Sequence, residues 1–374
     1  MVARTATTAT VPPDGPVTET GGRPPAGYRD DLVTGLLGGW FTVGLFLDAW
    51  AHSNVPELES FFTPWHAVFY SGFTATALWI GWLVARNVRA GRRGPAAVPL
   101  GYGLAVVALP VFALAGLGDL VWHTFVGIER DLVILFSPTH LALITAMIVI
   151  LTAPLRSAWV GLLHAPSLGQ LLPALLGLSF ATTLVLLFVM HSNALTWYPG
   201  GVVEAFSRPG DTLDGPSPVA LAGAVTVTNI VLLAPLLLLA RRFVIPVGAT
   251  TIVFAAAAGL SGAVTAFENR AIIGSAVLAG LLVEAVVWRL RPAASRRAAY
   301  LGFAALAGLV TWSVYLAAAS IAAGRPPAVI EYWTGVPIVA ALHGLLLAVL
   351  FVPSLRPGDQ PHQRSHVNDP APPS

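Results

Sequence analysis

The sequence predicts an all-α integral membrane protein, with about ten transmembrane helices built as repeated helical hairpins. Two observations predict this class. Of the 374 residues, 56% are hydrophobic and only 10% are charged, whereas soluble domains carry about 25% charged residues. The apolar residues also gather into ten runs, each of roughly the 20 residues that a helix needs to cross a bilayer. The surface of this protein is therefore expected to face lipid rather than water.

The ten runs follow one another along most of the chain, separated by short polar loops. They lie at 32–53, 62–85, 97–123, 132–155, 170–191, 218–240, 245–267, 271–290, 298–323 and 334–354. Because the loops leave no room for a separate soluble domain, a single polytopic membrane domain is predicted over 29–355. Its hairpins are clearest at 32–85 and 97–155. The polar, Pro-rich segments 1–28 and 356–374 are predicted to be disordered cytoplasmic tails.

Charge alternates between the loops along the chain. Arginines gather after the second, fourth, sixth and eighth runs and in the C-terminal segment: Arg86, Arg89, Arg92, Arg93, Arg156, Arg241, Arg242, Arg289, Arg291, Arg296, Arg297, Arg356 and Arg364. The loops between them are acidic or mixed. Under the positive-inside rule the arginine loops are cytoplasmic. Ten helices then place both termini in the cytoplasm, in a protein that spans the plasma membrane.

Composition also excludes several classes of function. The chain has no cysteine, which removes disulfides, thiolate metal sites and cysteine nucleophiles. A net charge of +2, without a basic stripe, gives no indication of nucleic-acid binding. The sequence carries no P-loop, dinucleotide fingerprint, nucleophile elbow or HExxH zinc motif. The lipid bilayer is the predicted partner, other membrane subunits are compatible with the chain, and whether the protein is an enzyme stays open.

The first two hairpins share a pattern of ionisable residues. In each, an aspartate is followed four positions later by a histidine near the end of one helix, and a second histidine follows a Ser/Thr-Pro pair at the start of the next. The residues are Asp48, His52 and His66, then Asp119, His123 and His140. Side chains four positions apart lie on one face of a helix. A fainter third copy, with His191 and the pair Ser217-Pro218, follows in the next hairpin.

Local signals predict where the second helix of each hairpin begins. Thr63 and Ser137 are natural N-caps, and the proline that follows each of them suits the first helical position. His66 and His140 then fall in the first turn of their helices. Both hairpins are therefore predicted to bring one carboxylate and two imidazoles together near the outer boundary of the membrane.

Two imidazoles and a carboxylate form a ligand set typical of transition-metal sites. Without a thiolate, the set suits copper or zinc best, and iron or manganese less well. The predicted metal ligands are Asp48, His52, His66, Asp119, His123 and His140. Auxiliary groups are predicted among Glu57, Glu59, Glu129, His191 and His343. A purely structural interpretation stays open, in which an aspartate and the histidine one turn later only form a hydrogen-bonded pair at a helix end.

The spacing of these residues resembles the metal-binding motif of the C subunit of copper membrane monooxygenases, which is Asp-x3-His-x12-His. Here thirteen residues separate the two histidines of the first hairpin, and sixteen separate those of the second. The resemblance covers only 48–66 and 119–140, and the helix count and the duplication differ from that subunit. The resemblance implies copper at an outward-facing membrane site.

Three functions remain open on the sequence alone. The first is a membrane metalloprotein with outward-facing Asp/His sites, serving copper-dependent redox chemistry or metal handling. The second is a cation- or proton-coupled transporter that uses the same residues. Transporters bind near the bilayer midplane, which counts against it, whereas Pro110 in the third run, which can break that helix, counts in its favour. The third is a structural or assembly subunit.

Overall fold

The computed structural model describes residues 22–55, 62–127, 136–210 and 215–352. Within these ranges the chain forms helices, 3-10 turns and loops, and no β-strand. The helices are α1 (Tyr28–Asn54), α2 (Pro64–Arg89), α3 (Gly103–Phe125), α4 (Pro138–Leu151), α5 (Ala153–Gly161), α6 (Leu168–Phe188), α7 (Pro199–Ala205), α8 (Pro218–Arg242), α9 (Ala249–Val264), α10 (Arg270–Leu290), α11 (Arg297–Ala323) and α12 (Ile330–Phe351).

Nine helical segments in the described part of the chain are long and apolar enough to cross a membrane. Eight are single helices, and the ninth is the continuous stretch Pro138–Gly161, which α4 and α5 form together. Each overlaps one of the ten runs seen in the sequence. The predicted class, an all-α multi-pass membrane protein, is confirmed.

The exposed face of α3 has the apolar character expected of a surface that contacts lipid. Its exposed large side chains recur every three or four residues: Leu104, Val107, Val111, Leu114, Leu117 and Val121. This spacing places them on one face of the helix. Exposing such a stripe to water is unfavourable, whereas hydrocarbon chains accept it without cost. The face is therefore suited to contact with the bilayer.

The predicted run at 245–267 differs from the other nine. Its helix, α9, has only 16 residues and is about 24 Å long, shorter than a hydrocarbon core of about 30 Å. The chain from Val244 to Asn269 nevertheless runs the length of α6. The backbone N–H of Val244 donates a hydrogen bond to the carbonyl of His164, just before α6 begins. The side-chain amide of Asn269 donates one to the carbonyl of Leu195, beyond the end of α6. Because α9 packs between α1, α6 and α10, protein neighbours rather than lipid set its length.

Part of the predicted N-terminal tail is bound to the bundle. Arg23 donates hydrogen bonds to the backbone carbonyls of Val98 and Pro99, at 2.9 and 2.8 Å. This contact fixes the chain just ahead of α1. The rest of the two predicted tails, 1–21 and the segment after 352, lies outside the described residues.

In the described part of the chain the buried apolar side chains form three cores. One lies among α1–α4 and contains Phe41, Phe69 and Phe112. A second lies mainly among α6 and α8–α11, and a third mainly among α7, α8 and α11. Helix α6 joins the first two, because it packs against α1 and α9. An added Cβ atom at Gly177 in α6 would clash with the carbonyl oxygen of Leu151 in α4, so the two backbones touch there, as small residues allow in membrane bundles.

A buried glutamate holds the first turn of α9. Oε2 of Glu284, on α10, accepts hydrogen bonds from the backbone N–H groups of Thr250 and Thr251, at 3.1 and 3.3 Å, and from the Thr250 hydroxyl. The N–H groups of a first helical turn have no partner within their own helix. The helix dipole also favours a carboxylate at this position.

Glu284→Ala is therefore expected to lower the free energy of unfolding by about 2–3 kcal/mol, because it leaves these buried donors without an acceptor. The measurement is the midpoint of thermal unfolding in detergent. Glu284→Gln keeps an acceptor oxygen and should lose less stability. Equal midpoints for Glu284→Ala and the wild type would contradict this role.

Candidate metal centre

Four helix ends meet at one end of the bundle, and they carry the predicted Asp/His residues. The last two turns of α1 hold Asp48 and His52, and the first turn of α2 holds His66. Nε2 of His66 lies 3.3 Å from Oδ2 of Asp48, and Nε2 of His52 lies 3.8 Å from the same oxygen. Asp48 and His66 are buried, and His52 is half-buried.

Helices α3 and α4 build the same arrangement beside the first. Asp119 and His123 lie in the last two turns of α3, and His140 lies in the first turn of α4. Nε2 of His140 is 3.3 Å from Oδ1 of Asp119, and Nε2 of His123 is 3.6 Å from Oδ2. Only 1% of Asp119 is exposed. A carboxylate so deeply buried needs a compensating cation or several hydrogen-bond donors.

Each hairpin offers three ligand atoms to one ion. We name the two groups the first triad, Asp48, His52 and His66, and the second triad, Asp119, His123 and His140. Within each triad, one ligand atom per residue lies within 4.8 Å of the other two. Ligands bound at about 2.1 Å from a metal ion lie up to about 4 Å apart. Small side-chain rotations would therefore close either triad on an ion.

Helix caps hold the second histidine of each triad in place. Oγ1 of Thr63 accepts a hydrogen bond from the backbone N–H of His66 at 3.1 Å, and Oγ of Ser137 accepts one from the N–H of His140 at 3.3 Å. The predicted N-caps are confirmed. Because a capped first turn has a fixed direction, each imidazole is presented toward the preceding helix.

Glycines let α1 and α2 approach closely beside the first triad. A Cβ atom at Gly44 would lie 2.7 Å from Cα of Phe69, and one at Gly72 would lie 2.6 Å from Cα of Phe41. No larger residue fits at either position unless a helix moves. Small residues at such crossings are how membrane helices bring their backbones together. This contact sets the short distance between the carboxylate on α1 and the imidazole on α2.

A chain of hydroxyl groups orients the second triad. Oγ1 of Thr139 donates to Oδ1 of Asp119 at 3.0 Å. A hydroxyl has one proton, so Thr139 accepts in its 3.1 Å contact with Oγ of Ser137. The Ser137 proton is thereby used, and Ser137 accepts from Nδ1 of His140 at 2.6 Å. The network is complete when Nδ1 of His140 carries a proton.

With Nδ1 protonated, Nε2 of His140 is the atom that faces Asp119 at 3.3 Å. Two lone pairs repel at this distance, so either a second proton or a cation must lie between them. Metal-binding histidines commonly donate the other ring N–H to an oxygen, which fixes the tautomer and the ring orientation. The geometry of His140 and Asp119 therefore suits either an imidazolium–carboxylate ion pair or a metal ion held between Nε2 and the carboxylate.

The two triads form one continuous cluster. The rings of His66 and His123, one from each triad, have centroids 6.2 Å apart. Both carboxylates, Asp48 and Asp119, line a cavity of about 30 Å³ together with His66 and His140. A cavity of this size holds about two water molecules. The sequence left open whether there is one site or two, and in the structure the two triads share a cavity.

No family model, curated protein or solved structure matches this chain. The resemblance to the C subunit of copper membrane monooxygenases therefore rests on the spacing of the Asp/His motif alone.

An aromatic layer closes the cluster toward the middle of the bundle. Phe41 and Phe112 lie two helical turns before the aspartate of their helix, and Phe69 lies one turn beyond the histidine on α2. Their ring centroids are 5.4, 5.0 and 5.8 Å apart, and at most 4% of each residue is exposed. Aromatic side chains packed in this way fill the space with apolar surface. The polar cluster thus faces the end of the bundle rather than its centre.

The predicted auxiliary groups are not part of either triad in the described structure. His191 is exposed in a 3-10 turn after α6, with its ring 6.0 Å from that of Phe136. His343 lies on α12, which packs mainly against α8 and α11. The predicted glutamates lie outside the described residues: Glu57, Glu59 and Glu129.

Sequence reasoning missed two contributors to the site. Thr139 is the variable residue of the Ser-Pro-x-His motif, and Trp65 occupies the same position in the first hairpin. The contact between Thr139 and Asp119 depends on how α3 and α4 pack together, which the sequence does not show. Met147 lines the shared cavity with His140. Because these two residues are seven apart, about two helical turns, their shared face on α4 was a signal that could have identified Met147.

Proposed function

We propose that this protein is a multi-pass membrane metalloprotein whose triads bind a transition metal ion, copper or zinc. The observation that carries the proposal is the pairing of two triads from four helices, with ligand atoms within 4.8 Å in each. A cap at a helix end requires one polar side chain. It does not require two buried carboxylates, each with two imidazoles directed at it.

Three protein ligands leave a coordination position open. Structural zinc sites are usually closed by four protein ligands, whereas catalytic sites keep a position for water or substrate. In this protein an ion held by either triad would adjoin the cavity of about 30 Å³, whose other walls are mainly aliphatic and aromatic. Bound copper would supply one-electron redox chemistry, and bound zinc a Lewis acid. The triads therefore suit a reactive or exchangeable ion better than a structural one.

The proposal places the triads at the outer face of the plasma membrane, with both termini in the cytoplasm. The opposite end of the bundle carries the arginine-rich loops, such as the one after α2 with Arg89, Arg92 and Arg93. The positive-inside rule assigns such loops to the cytoplasm. We also propose that the second hairpin, α3 and α4, is a repeat of the first, α1 and α2. Other membrane subunits are compatible as partners of this protein.

Transport through the same residues is supported less well. A path for an ion or a proton would have to continue from the triads into the middle of the bundle. The packed, buried rings of Phe41, Phe69 and Phe112 block such a path. The sequence raised Pro110 as a break in the third span, but α3 is one helix across this residue. A broken helix at the midplane, as transporters use, is therefore not found within α3.

Elemental analysis of detergent-purified protein tests the proposal. The wild type is expected to carry near-stoichiometric copper or zinc. His66→Ala and His140→Ala should each lower the metal content, and the double variant should lose it, because each change removes an imidazole from one triad. His164→Ala, at an exposed histidine ahead of α6, is the control and should keep the metal. Unchanged metal content with lower thermal stability in the double variant would instead favour a structural subunit.

A further inference from the structure

A second cavity opens beside the triads at the same end of the bundle. It has a volume of about 60 Å³, and its polar lining comes from Asp48, His52, Ser53 and His140. Ser53 is exposed, whereas Asp48 is buried. Because Asp48 belongs to the first triad and His140 to the second, the cavity joins the end of the bundle to both triads.

A methionine thioether completes the lining of this cavity. Met190 is half-buried at the start of the 3-10 turn Met190–Ser192, directly after α6. Methionine is rare in the chain, with three among 374 residues. Met1 lies outside the described residues, and the other two line the cavities at the triads, Met147 the smaller and Met190 the larger.

The donors of this cavity differ in the ions they prefer. Thioether sulfur is a soft ligand that selects Cu(I), while imidazole nitrogen binds copper and zinc alike. The remaining walls are aliphatic or aromatic, with Leu45, Leu187, Phe188 and Val264 among them. An ion with a single charge costs less to move into such surroundings than a divalent one. The cavity therefore favours a soft monovalent ion over Zn(II).

We propose that this cavity holds a Cu(I) ion between Met190, His52 and His140. The inference rests on the proposed metal-binding function and specifies the metal and its ligands. Binding is a ligand exchange, in which water leaves the ion as one copper–sulfur bond and two copper–nitrogen bonds form. The oxidation state does not change, so no oxidant or reductant takes part.

Ag(I), a soft monovalent ion that does not change its oxidation state under these conditions, is the probe in two measurements on the full-length protein. In the first, the methionine methyl groups are labelled with ¹³C for NMR, and the Met190 signal is assigned by its absence in Met190→Leu. This signal is expected to shift on addition of Ag(I) but not of Zn(II). Met190→Leu conserves volume. It is expected to weaken Ag(I) binding about tenfold and to leave Zn(II) binding and the unfolding midpoint unchanged.

Three outcomes would overturn the inference while leaving the proposed function standing. In the first, Met190→Leu and the wild type bind Ag(I) with equal affinity. In the second, the Met190 methyl signal does not shift when Ag(I) is added. In the third, the variant loses Ag(I) and Zn(II) binding in parallel. The last would mean that the triads themselves were disturbed. If the wild type bound neither ion, the proposed function itself would fail.

Discussion

Replacing both carboxylates, in the variant Asp48→Asn/Asp119→Asn, is expected to abolish metal binding and to leave the helical fold in place. Each aspartate is the one anionic ligand of its triad, and a cation in a largely buried site needs that charge. Loss of an outer-shell partner alone weakens metal affinity by about 10–100-fold. Loss of the carboxylate ligand from both triads should therefore weaken it by at least about a hundredfold, measured by titration calorimetry with copper and zinc.

The fold should survive this change because asparagine has nearly the size of aspartate. Its amide oxygen can still accept the hydrogen bond that Thr139 donates to Asp119. The matched control is Glu331→Gln, the same chemical change at an exposed residue of α12, which should bind metal as the wild type does. Wild-type affinity in the double asparagine variant, with circular dichroism showing intact helices, would contradict the assignment of the carboxylates as ligands.

Gly72→Val is expected to separate α1 from α2 and to disable the first triad. The added Cβ atom would lie 2.6 Å from Cα of Phe41, which can move only together with α1. Overpacking of this kind costs about 1–3 kcal/mol, and the helix shift would draw His66 away from Asp48. In a His140→Ala background, where only the first triad is complete, metal content should fall to that of His66→Ala/His140→Ala.

The control for this prediction lies on the same helix. Nothing lies within 4 Å of an added Cβ atom at Gly81, so Gly81→Val should keep the metal. Valine has the same intrinsic cost in a helix at both positions, and the difference between the two variants isolates the contact between α1 and α2. If Gly72→Val/His140→Ala kept the metal content and the unfolding midpoint of His140→Ala, this close approach would not be what builds the site.

The long helices and the members of the triads could be predicted because their signals are local. Apolar runs of membrane length mark the spans, and an Asp-x3-His pattern places both side chains on one helix face. Thr63 and Ser137 mark the starts of α2 and α4 by their capping chemistry. None of these signals requires knowledge of how the helices pack. The role of the triads as metal ligands stays a prediction.

The length of α9 and the union of the two triads depend on tertiary contacts, and no local pattern encodes them. The apolar run around α9 continues past both ends of the helix. The chain turns instead at Gly248, with φ of +99°, and at Ala266 and Phe267, with φ of 52° and 59°. Hydropathy carries no information on these left-handed conformations. The contact between the rings of His66 and His123 likewise joins two hairpins that are separate in sequence.

X-ray absorption spectroscopy at the edge of the bound metal tests the central claim most directly, that the Asp/His triads hold a transition metal ion. The wild type is expected to show nitrogen and oxygen scatterers at about 2.0–2.1 Å, together with the outer-shell scattering of imidazole rings. Both the imidazole scattering and the metal content should be lost in His66→Ala/His140→Ala. A first shell without imidazole, or an unchanged spectrum and metal content in that variant, would contradict the claim.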